Sequence, residues 1–167
     1  MEISTDQIKE LRQKTGAGIM DCKKALADAD GNLDKACDII SQRGLAIAKK
    51  KSERSAEQGV IECYVHTGNH LGVMVEVNCE TDFVARTPEF KELAHNIALQ
   101  ISAMSPQYIS KDDIPADVNT EPQTVCLLLQ PFIKDPAKSV QDVITETVAK
   151  TGENIKIRRF KRFELGY

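Results

Sequence analysis

Nine residues constrain this chain more tightly than any others. From Leu71 to Cys79 the positions Leu71, Val73, Val75, Val77 and Cys79 alternate strictly with Gly72, Met74, Glu76 and Asn78. A side-chain period of two marks a strand with one buried face. The turn formers Thr67-Gly68-Asn69-His70 precede it, and the β-rich run Val60–His66 precedes those, so the stretch predicts a hairpin. A helix should follow. Thr87 can cap it, Pro88 suits its first position, and Phe90, Leu93, Ala94, Ile97, Ala98 and Ile101 form one apolar stripe. After a loop over Ser105–Pro122 and an ambiguous apolar run at Thr124–Leu129, Ser139 and Asp142 form a capping box. It starts a helix that carries Val140, Val143, Ile144 and Val148 inward and ends at Gly152. Ile155–Phe163 reads as a closing strand.

The first part of the chain is different in kind. Its first aromatic residue is Tyr64, so any earlier core must be aliphatic. Three short helices are predicted. Ser4 and Gln7 match a capping box, Gly16 and Gly18 break the pattern, a second helix covers Ile19–Asp28, and Asn32 caps a third. Gly44 is expected to bend or end that third helix. Lys49–Gly59 has no apolar period and reads as a solvated helix end and linker. The expected organisation is a helical module at 1–52, a linker at 53–59 and an α+β core at 60–167, with a small antiparallel sheet packed with helices.

Composition narrows the function classes. Hydrophobic residues make up 41% of the 167 and charged residues 28%, which is globular rather than disordered. The net charge of −3 lacks the basic excess of a dedicated nucleic-acid binder. The first 54 residues carry 11 Lys and Arg against 9 Asp and Glu, and the remainder 11 against 16. Five cysteines, with no CxxC pair, point to thiols in a reducing compartment rather than a disulfide framework or a zinc site. Glu2 and Asp6 interrupt the N-terminus before any apolar core, so no signal peptide is expected. The uncharged run Ala94–Ser110 contains His95, Asn96 and Gln100 and does not read as a membrane span. A cytoplasmic protein is expected, or one of an organellar matrix if a transit peptide has been removed.

Candidate sites stand beside plainer readings. His66 and His70 flank a turn and have no third ligand at metal spacing, so both read as surface residues. His95 reads as packing or surface. Neither GxGxxG nor GxxxxGK[ST] occurs, so no nucleotide pocket and no cofactor is expected. Lys156, Arg158, Arg159, Lys161 and Arg162 could contact phosphate in an RNA-binding protein, but the alternation of a strand splits them between faces. An edge strand paired with acidic neighbours is the plainer reading. Cys63 and Cys79 lack any nucleophile motif. Two spots are sharper. At Thr81-Asp82-Phe83-Val84, either Thr81 or Asp82 caps a helix while Phe83 anchors it in the core, or Phe83 projects into a partner's pocket with Asp82 beside it. At the TGAG turn, Ile19 and Met20 either complete the module's own core or form an exposed patch rimmed by Arg12 and Lys23.

LRQKTGAGIMDCKKAL at 11–26, EVNCETDFVAR at 76–86 and GENIKIRRFKRFELG at 152–166 resemble the translation elongation factor Ts family. The run Gln130-Pro131-Phe132…Asp135-Pro136 is similar to the family's late segment. The length resembles the short forms, which have one core half where longer relatives have two. The resemblance implies a guanine-nucleotide exchange factor for elongation factor Tu, not an enzyme in the chemical sense. It also implies a ubiquitin-associated-like fold for the N-terminal helices. Thr81, Asp82, Phe83 and Val84 match the segment that displaces Mg²⁺ from the partner GTPase. Arg12, Ile19, Met20 and Lys23 match the partner contact of the N-terminal module. Position 19 is Ile where many relatives have Met, which keeps an apolar side chain. A homodimer is expected because a small sheet with an apolar face needs cover. No membrane and no direct nucleic-acid contact are expected.

Overall fold

The computed structural model describes residues 3–166, and it is an α+β protein. Three helices come first: α1 (Thr5–Thr15), α2 (Ile19–Asp28) and α3 (Leu33–Lys51). Ser4 Oγ accepts the Gln7 N–H at 3.2 Å while Gln7 Oε1 accepts the Ser4 N–H at 3.0 Å, so α1 opens with a complete capping box. Gly16 ends it with a φ of 66°, a left-handed value that a side chain would disfavour. Asn32 Oδ1 accepts the Lys35 N–H at 3.0 Å and starts α3. Leu11, Cys22, Ala25, Leu26 and Ala36 are fully buried between these helices, an aliphatic core as the missing aromatics require.

Gly44 does not end α3, one of the two outcomes expected from the sequence; the helix continues to Lys51. The glycine is buried where α3 crosses α7 (Val140–Thr151), and a Cβ built there would lie 3.4 Å from the Ala149 Cβ. It permits close approach rather than a break.

The sheet has three antiparallel strands in the order β1-β2-β5. β1 (Gln58–Val65) pairs with β2 (Leu71–Cys79), with Gln58 opposite Cys79 and Val65 opposite Gly72. β5 (Lys156–Glu164) lies on the other side of β2, with a register irregularity between Glu76 and Val77. Val73, Val75, Val77 and Cys79 are buried, as their alternation requires. They meet Phe90, Leu93, Ile97 and Ile101 of α5 (Pro88–Met104) and Val140, Ile144 and Val148 of α7. Burying one such side chain contributes roughly 1.5–3 kcal/mol.

Between α5 and α7 the chain makes two 3₁₀ turns, a short α6 (Pro122–Val125) and a two-stranded ribbon, β3 (Pro131–Phe132) with β4 (Asp135–Ser139). The sequence reading contains no such ribbon. Buried amides hold this region. Gln100 Oε1 accepts the Ile133 N–H at 2.9 Å, and Gln130 Nε2 donates to the Thr124 carbonyl at 2.9 Å.

Candidate functional site

The residues after β2 form a short projection. Thr81 is the N-cap of α4 (Asp82–Ala85), and its Oγ1 accepts the Val84 N–H at 3.4 Å. Ala85 is buried and Val84 packs against the main core, so the second half of α4 is anchored. Its first half points outward: Phe83 is 77% exposed and Asp82 forms an ion pair with Arg86 at 2.8 Å. Thr81 does cap a helix, but the phenyl ring does not anchor it.

Further contacts fix the base of the projection. The Cys79 thiol donates to the Thr81 carbonyl at 3.1 Å, and Thr87 Oγ1 donates to the Val84 carbonyl at 2.8 Å. Glu153, just after the left-handed Gly152 that ends α7, receives three hydrogen bonds. Its Oε2 accepts the N–H groups of Glu80 and Thr81 at 3.1 and 3.0 Å, and its Oε1 accepts the Thr81 hydroxyl at 2.6 Å. In return Glu80 Oε1 accepts the Asn154 N–H at 2.7 Å, while Arg54 lies 3.3 Å from the other Glu80 oxygen. That N–H, then Arg54, holds the Glu80 carboxyl below the usual carboxylate range. Burial, aided by the Glu153 charge, pushes the Cys79 thiol up to about 11.

Sequence reasoning finds the projecting residues and misses the residues that hold them. Glu153 lies 72 positions from Thr81, and no local period or spacing connects the two.

The second expected site lies on the N-terminal helices. Ile19 and Met20 open α2 and are 56% and 62% exposed, so they do not complete the helices' own core. Arg12 and Lys23 are exposed too, and neither forms an ion pair among the described residues. The apolar pair and both cations are thus free to meet another surface.

The other candidates have ordinary surroundings. Arg159 and Arg158 pair with Glu76 at 2.7 and 3.9 Å, and Arg162 with Glu164 at 2.6 Å, on an edge strand with acidic neighbours. His66 accepts or donates a hydrogen bond at Tyr64 Oη, and His95 meets Glu62 at 3.0 Å. Cys79 is buried, whereas Cys63 is exposed. Among the described residues no group of three or more His, Cys, Asp or Glu is placed to hold a metal ion, and no helix is long and apolar enough to cross a membrane. Two shallow clefts, of about 270 and 220 Å³, are lined by residues outside 81–84. Phe83 lines neither of them and stands exposed.

Comparison with known proteins identifies relatives that span the chain. The model of the family described as elongation factor TS matches residues 34–125. Over 195 aligned positions the chain is 49% identical to elongation factor Ts of Thermodesulfovibrio yellowstonii, covering 99% of this chain and 98% of that protein. It is 47% identical to elongation factor Ts of Carboxydothermus hydrogenoformans, covering 98% and 89%. It is 46% identical to that of Thermotoga maritima, covering 99% and 98%. These alignments are longer than the 167 residues of this chain, so the relatives carry residues with no counterpart here. With identities near one half over almost its whole length, the chain belongs to the elongation factor Ts family.

Proposed function

We propose that this protein is a guanine-nucleotide exchange factor for elongation factor Tu in translation elongation. It binds the GDP-bound GTPase, displaces Mg²⁺ through Thr81–Val84, and so promotes GDP release and GTP loading. The observation that carries the reading is Phe83: a large apolar ring 77% exposed on a turn whose flanks are fixed in the core. Exposed aromatic anchors on rigid supports are what partner pockets receive.

The physics of exchange follows from the ion. Mg²⁺ demands near-octahedral oxygen ligands and bridges a GTPase to its nucleotide's phosphates. Phe83, inserted between elements of the partner near that ion, shifts its ligands out of octahedral register. Asp82 supports the displaced arrangement. Losing the ion removes a large positive charge from beside the phosphates, and GDP affinity falls. The coupling is reciprocal, so GDP weakens the binding of this protein by the same factor. No covalent bond is made or broken, and the protein is not an enzyme in the chemical sense.

Residues 1–52 act as the docking module, with Arg12, Ile19, Met20 and Lys23 contacting the GTPase, and residues 53–59 as its linker. Residues 60–167 form the exchange core and pair with a second copy. The outer sheet face supports that pairing: Ile61, Val65, Met74 and Phe163 are exposed on the side away from α5. The protein acts in the cytoplasm or an organellar matrix. The direct test is release of a fluorescent GDP analogue from cognate elongation factor Tu. Release should accelerate as this protein is added and slow as Mg²⁺ is raised. An unchanged release rate would contradict the function, and a rate indifferent to Mg²⁺ would contradict the ion-displacement step.

A further inference from the structure

We infer that Glu153 is a positioning residue for exchange: its carboxylate sets the angle at which Asp82 and Phe83 project. The inference rests on the proposed role of Thr81–Val84 and assigns that turn its support. One carboxylate takes both backbone N–H groups that lead into α4, at Glu80 and Thr81, and the Thr81 hydroxyl. Accepting the hydroxyl proton leaves the Thr81 oxygen lone pairs facing α4, where the Val84 N–H uses one. Glu153 thus orients the cap as well as the chain before it.

The grip is double-ended. Glu153 holds the main chain of 80 and 81, and Glu80 holds the main chain of Asn154. Asn154 Nδ2 also donates to the carbonyls of Arg54 and Ser52, at 2.7 and 3.3 Å, tying in the segment that follows α3. Rotation of the projection about its own backbone would break hydrogen bonds at both ends. A ring that must wedge into a partner works only at a fixed angle, and small misplacements of such groups carry large rate costs.

The test is stopped-flow release of fluorescent GDP from elongation factor Tu with full-length variants, each first checked for a cooperative thermal melt. Glu153→Ala should lower the maximal release rate about tenfold. The concentration for half-maximal effect should stay within about twofold, because the docking surface is untouched. Glu153→Gln should recover most of the rate. Its amide oxygen can accept both N–H groups and its NH₂ can donate to Thr81 Oγ1. In the double variant with Phe83→Ala, release should be no slower than with Phe83→Ala alone, since Glu153 acts through the ring. A full rate in Glu153→Ala, a glutamine variant as slow as alanine, or losses that multiply in the double variant would each overturn the inference. If the alanine variant does not fold, Glu153→Asp withdraws the same oxygens by one methylene, and a full rate there overturns it equally. Full-rate release by Phe83→Ala would instead remove the exchange role of the turn itself, an outcome distinct from the failure of Glu153 alone.

Discussion

Phe83 and Val84 are neighbours with opposite fates, one in solvent and one against the core, and four residues of helix are enough to separate them. Because the ring is exposed, Phe83→Ala should leave stability within about 0.5 kcal/mol of wild type in a denaturant titration. The thiols sort by the same logic. Cys63 is exposed and should react first with an aromatic disulfide reagent at pH 8, whereas buried Cys79, at about 11, should react only on unfolding. Fast labelling of Cys79 in the native protein would show that the turn opens. Glu80 and Glu76 are held below their ordinary value of 4.5, by the Asn154 N–H and by Arg159 respectively. A depressed folded value means that the stabilisation is complete above the unfolded pKa and is lost as pH falls through the folded one. The melting temperature should therefore decline below about pH 4.5, and Glu80→Gln should show a shallower decline.

At the scale of elements, what was legible in the sequence was what local chemistry dictates. α5 has Thr87 as its cap, with Oγ1 accepting the Phe90 N–H at 3.3 Å, Pro88 at its first turn and one apolar stripe, so nothing competes with a helix. β2 is read from its alternation alone. The β3–β4 ribbon is not legible, because Asp-Pro-Ala-Lys-Ser has neither alternation nor β-branched residues. Gly44 misleads because a glycine inside a helix looks the same in sequence whether it ends the helix or admits a neighbour. The candidate site divides likewise. Asp82 and Phe83 are contiguous with a strand end and can be found, but whether the ring is exposed was open from the residues alone. Glu153 is invisible because it acts across the fold. Gly44→Leu should force α3 and α7 apart and cost about 1–3 kcal/mol in a thermal or urea melt, whereas Gly44→Ala should be tolerated. A leucine variant as stable as wild type would show that the contact is not close in solution.

For the whole molecule, the inner face of the sheet is covered by its own α5, whereas among the described residues nothing covers the outer face. Ile61, Val65, Met74 and Phe163 lie there with Cys63, interrupted by the Glu76–Arg159 pair. A second copy would bury these side chains, so light scattering at micromolar concentration should report about twice 18.5 kDa, and Met74→Lys should shift the population toward the monomer. A single 18.5 kDa species in the wild type would remove the dimer while leaving the exchange site intact. That site is the central claim, and it concerns two molecules at once. The most direct measurement is the maximal rate of GDP release from cognate elongation factor Tu driven by wild type and by Phe83→Ala. The variant should still bind but release GDP at least about tenfold more slowly, within the usual range of coupling between sites. Equal maximal rates would contradict that claim.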